Sequence, residues 1–119
     1  MGTISNLSDW SKRRRDFAGL APIAVSLHGF ATGDMHVAWQ AVSEIRAART
    51  DPASGGESLV EFVAAGTCVV VSDRQPGFDK LEKAMSAVFP ATASWREVLQ
   101  RGLPPGERAT LYRREPDMS

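Results

Sequence analysis

Two β-favouring runs, Leu59–Ala64 and Thr67–Ser72, are hinged at Gly66, and Pro76-Gly77 then breaks the strand pattern. Phe78, Leu81, Ala84, Met85 and Val88 follow at the spacing of one helix face, and Pro90 stops the helix. A hairpin feeding directly into an amphipathic helix commits the chain to sheet plus helix. The continuous Val69-Val70-Val71 predicts a strand covered on both faces. Ser94 is placed to cap a second short helix, Trp95–Arg101, and Ala109–Arg113 suits a closing strand.

Upstream, Ile23, Val25 and Leu27 alternate with small or polar residues, which predicts a strand of period two. His28 to Asp34 then reads as a long hairpin loop, with Met35 to Trp39 as its returning strand. Residues 36–49 support two readings. Val37, Ala41, Ile45 and Ala48 fit a helical stripe; alternatively a strand ends near Trp39, turns over Gln40–Val42 and resumes from Glu44 to Thr50. Asp51-Pro52-Ala53-Ser54-Gly55-Gly56 is a turn by composition.

The 119 residues are the length of one domain, and 43% hydrophobic content is enough for a core without disulfide or metal staples. We divide the chain into a lead-in helix or arm at 1–22, a single domain at 23–114 and a frayed tail at 115–119. Lysine plus arginine and aspartate plus glutamate each number 14. The signs balance in both halves too, six of each in 1–60 and eight of each in 61–119. That removes the broad positive field of a nucleic-acid binder. No apolar run approaches the roughly 20 residues that span a bilayer, and a secretory leader is not visible. A single cysteine makes no internal disulfide, and the expected location is cytoplasmic.

Catalytic patterns are thin. Gly29 and Gly33 flank Phe-Ala-Thr without the Gly-Lys-Ser/Thr of a phosphate loop. His28, Asp34 and His36 are legitimate metal-ligand types, but their spacing matches no common motif, and no metal or cofactor is expected. Cys68 sits against the valine run and reads as a small buried hydrophobe. Asp73, Asp79, Glu82 and Lys83 read as solvated charges, with Asp79 and Lys83 an ordinary helical pair. The sharpest local feature is the lead-in: Trp10 and Phe17 share a helix face beside the basic run Lys12, Arg13, Arg14 and Arg15.

Taken in order, Trp39-x-x-Val42-x-x-Ile45, Gln75-Pro76-Gly77-Phe78-x-x-Leu81, Phe89-Pro90, Trp95 and Leu111-Tyr112-Arg113-Arg114 resemble a family of small uncharacterised bacterial proteins. The strand order followed by a helix is loosely similar to bacterial pleckstrin-homology-like domains. The resemblance implies a compact antiparallel sheet carrying a helix, and it selects the strand reading of 36–49. It supplies no catalytic or ligand-binding residue.

The expected fold is therefore α+β, an antiparallel sheet of about five or six strands with helix Phe78–Phe89 packed on one face. Its expected core is Val25, Leu27, Trp39, Val42, Ile45, Val60, Phe62, Val69, Val71, Leu81, Met85, Val88, Trp95 and Leu111. The leading functional expectation is a non-catalytic protein-interaction module, open to self-association, that uses Trp10, Lys12, Arg13, Arg14, Arg15 and Phe17. Its partner would be a protein or a second copy, not nucleic acid. A peripheral lipid-binding domain using the basic helix is the alternative, with the membrane surface less favoured. An enzyme using Cys68 or the His28/His36 pair stands third.

Overall fold

The computed structural model describes residues 21–50, 56–101, 104 and 106–114. The lead-in helix, with Trp10, Lys12, Arg13, Arg14, Arg15 and Phe17, and the tail at 115–119 lie outside the described residues. So does most of the turn at 51–56.

The fold is α+β, and among the described residues the strands form two antiparallel sheets of three and four rather than one sheet of five or six. The first comprises β1 (Ile23–Val25), β2 (Gly29–Thr32) and β3 (Met35–Ala38) in chain order. The second comprises β4 (Val42–Arg49), β5 (Ser58–Ala64), β6 (Thr67–Ser72) and β7 (Ala109–Arg113), ordered β6-β5-β4-β7. Helices α1 (Phe78–Val88) and α2 (Trp95–Gln100) separate β6 from β7, joined by a single 3₁₀ turn at Pro90–Thr92.

The expected long loop between 28 and 34 is not a loop. Val25 pairs with Phe30 and Thr32 with Met35, so residues 23–38 form a meander with two-residue turns. At the first turn, Ser26 N–H donates to the Gly29 carbonyl at 2.8 Å and the Ser26 hydroxyl accepts from His28 N–H at 3.2 Å. The second turn is Gly33-Asp34, with Gly33 at φ 58°. Strand β2 has only four residues and opens on glycine, too little for a period-two signal to register.

Residues 36–49 are strand, turn and strand. The turn is one 3₁₀ turn, Trp39–Ala41, that carries the chain from the first sheet into the second. Trp39 is buried at this corner, its ring 5.7 Å from Phe30 and 6.1 Å from Phe89. Phe30 lies 4.8 Å from Phe62, so aromatic rings join the two sheets. From the other side, Phe78, Leu81 and Met85 of α1 enter the same core.

Two expected core residues are outside it. Leu27 is 92% exposed, because β1 ends at Val25 and leaves Leu27 at the tip of a two-residue turn. Val88 is 43% exposed, because the chain leaves the helix there and inserts Phe89 instead, 4.7 Å from Tyr112. Val25 and Leu111 pack against the core half-buried.

Glycine is required at two close approaches. A Cβ at Gly29 would lie 1.9 Å from the Val37 carbonyl oxygen, and one at Gly77 would lie 2.3 Å from that of Ile23. Gly77 also has φ 91°, a left-handed conformation that glycine adopts without strain. That close approach seats the start of α1 against β1.

Candidate functional site

Alternation along the three short strands divides their side chains between two faces. Ile23, Phe30 and Val37 point into the core and are buried. The opposite face carries Ala24, Ala31 and His36, which are directly paired across the sheet, with Ala38 opposite Gly29. Short side chains in neighbouring positions leave a shallow open trough of about 340 Å³ on this face. His28 and His36 both line it, and Leu27 projects from the turn at its end.

The two histidines face the same trough but do not form a pair. Trp39 N–H donates to the His28 carbonyl, so His28 lies opposite Trp39, while His36 lies three positions back along that strand. Three positions along a strand is roughly 10 Å. Among the described residues no group of three or more His, Cys, Asp or Glu is gathered as a metal site. The trough offers apolar contact and imidazole edges, which suits docking an apolar side chain better than holding an ion.

Cys68 is exposed, contrary to the expectation of burial. It stands near one end of β6, on the face of the second sheet that points away from the core, opposite Val63. Its neighbours there are Glu61, Arg46 and Arg108. Partial burial raises the thiol's pKa first, and the charge of Glu61 and a hydrogen bond to it raise it further; the two arginines oppose this more weakly. The thiol is thus held protonated, the reverse of what a nucleophilic cysteine needs. Glu61 is itself buried and lies between Arg46 at 3.3 Å and Arg108 at 3.6 Å.

A second polar group spans the helices. Glu82 on α1 accepts from Trp95 Nε1 at 2.8 Å and from Arg96 Nε at 2.9 Å. The Arg96 guanidinium stacks 4.6 Å from the Trp95 ring and reaches Asp73 at 3.8 Å. Glu82 is therefore not merely a solvated charge, as expected from its helical position; its partners come from a helix that sequence spacing could not place beside it. Hydrogen bonding from Arg96 pulls the Glu82 carboxyl below the usual glutamate range, and the same bond raises Arg96.

Among the described residues no helix is long and apolar enough to cross a membrane. Comparison with protein-family models, with curated proteins and with solved structures finds no match to this chain.

Proposed function

We propose that this chain is a non-catalytic protein-interaction module, and that the outer face of the three-stranded sheet is its binding surface. The observation that carries the reading is Leu27, 92% exposed beside a trough floored by Ala24, Ala31 and Ala38. A fully exposed leucine next to an apolar concavity is a surface whose burial would stabilise a complex, by about 1.5–3 kcal/mol for the leucine alone. The partner this suits is a protein segment that lays an aliphatic or aromatic side chain into the trough.

The test is affinity capture from the native cell extract with the full chain, its Leu27→Ser variant and a version starting at Pro22. Leu27 makes no core contact, so Leu27→Ser should melt at the same temperature as the parent. A partner retained by the parent and lost by Leu27→Ser is the expected result. A partner lost only from the truncated version would move the contact to Trp10 and Phe17. Binding to anionic vesicles with no protein captured would overturn the reading in favour of a lipid surface.

A further inference from the structure

We propose that β6 is a self-pairing edge, through which two copies of this chain join their four-stranded sheets antiparallel into one. The inference stands on backbone hydrogen bonds and is independent of the trough.

Asp73 N–H donates to the Ser58 carbonyl at 3.0 Å, which sets the phase of the β5–β6 ladder. In an antiparallel ladder the hydrogen-bonded residues alternate. Val71 and Val69 therefore bond to β5, opposite Val60 and Phe62, while Ser72, Val70 and Cys68 direct their N–H and C=O groups away from it. Ser72 confirms this phase: its N–H donates outward to Gln75 Oε1 at 2.7 Å, and its carbonyl accepts from Gln75 N–H at 3.1 Å. Gln75 thus closes one end of the edge. Among the described residues no strand pairs with the outer side of β6, and no hydrogen bond reaches the outward groups of Cys68 and Val70.

These four groups fix a register. Placing Cys68 opposite Val70 of the partner subunit, with the two-fold axis beside Val69, satisfies both donors and both acceptors on each copy. Centring the axis on Val70 would oppose Cys68 to a Ser72 already occupied by Gln75. The same register opposes no like charges. Asp73 falls opposite Ala65 of the partner subunit, and Thr67–Ser72 contains neither a charge nor a proline. The two buried carboxylates beside β6 are already engaged within the chain, Glu57 by the Ser72 hydroxyl and Glu61 by Arg46 at 3.3 Å and Arg108 at 3.6 Å. Edges kept single usually carry such a guard. The opposite edge, β7, carries Arg113 within the strand, whereas Thr67–Ser72 carries no charge along its length.

The test is sedimentation equilibrium of the full chain from about 10 μM to about 1 mM, with amide hydrogen exchange at both ends of that range. Two variants accompany it: Val70→Lys, which sets a charge at the centre of the edge, and Val70→Thr, which keeps the strand propensity. The expected result is a dimer that Val70→Lys weakens at least about tenfold. Val70→Thr should dimerise, and the amides of Cys68 and Val70 should gain protection with concentration while that of Ser72 stays unchanged. A chain monomeric throughout, or a dimer indifferent to Val70→Lys, would overturn the proposal. So would new protection confined to residues 23–38, which would place self-association on the trough and leave the interaction-module reading standing.

Discussion

At the scale of single residues, the informative positions are those where local preference and the fold conflict. Ala65 is the one described residue other than glycine with positive φ, at 51°, in the two-residue Ala65-Gly66 turn joining β5 to β6. Alanine in the left-handed region places its Cβ against the following carbonyl, at a cost of roughly 1–2 kcal/mol. Asparagine tolerates that region better, so Ala65→Asn should gain about 0.5 kcal/mol and raise the melting temperature by about 2 °C. Scanning calorimetry measures it, and a fall in melting temperature would show the turn to be unstrained. Part of the core was legible: Trp39, Ile45, Val60 and Phe62 from the strand pattern, and Leu81 and Trp95 from helical spacing. Leu27 and Cys68 were not. Alternation assumes that a strand continues, and it does not report where the strand stops or which face is left uncovered.

At the scale of elements, the short α2 is held largely through its first turn. Trp95 and Arg96 both bond to Glu82, and Phe78 meets the Trp95 ring at 5.8 Å. Because the folded Glu82 carboxyl is depressed, its stabilisation is complete above the unfolded carboxyl's pKa and is lost as pH falls through the lower folded value. Glu82→Gln should therefore lower the melting temperature at about pH 7, and the gap to the parent should close towards about pH 3. Thermal denaturation followed by circular dichroism across that range is the measurement. A gap independent of pH would assign the effect to lost packing. The pair is half-exposed and screened by solvent, so the effect should be modest. The helices themselves were legible, since Pro76-Gly77 and Pro90 mark the limits of α1. Strand β2 was hidden by its length, and the partners of Glu82 by their distance along the chain.

At the scale of the whole molecule, one buried side chain ties the two sheets together. Gln75 accepts from Ser72 N–H at the end of β6 and donates through Nε2 to the Ala21 carbonyl at 2.8 Å and to Thr32 Oγ1 at 3.0 Å. Beside it the buried Glu57 accepts from the Ser72 hydroxyl. Gln75→Ala would leave the buried Ser72 N–H unpaired and release the part-buried Ala21 carbonyl and Thr32 hydroxyl, at a cost of about 1–3 kcal/mol. Urea unfolding should show that loss in the midpoint, and a change below about 0.5 kcal/mol would mean that water replaces the amide. Sequence alone determined the α+β class, the hairpin of β5 and β6, both helices, the closing strand and about half of the buried core. Each of these rests on short-range periodicity and on proline and glycine, which act within a few residues. The division into two sheets, the Gln75 clasp, the partners of Glu82 and Glu61, the exposed trough and an edge of β6 that no described strand pairs were decided by tertiary structure alone. Each depends on which distant segments become neighbours, and one residue's spacing to the next carries no record of that.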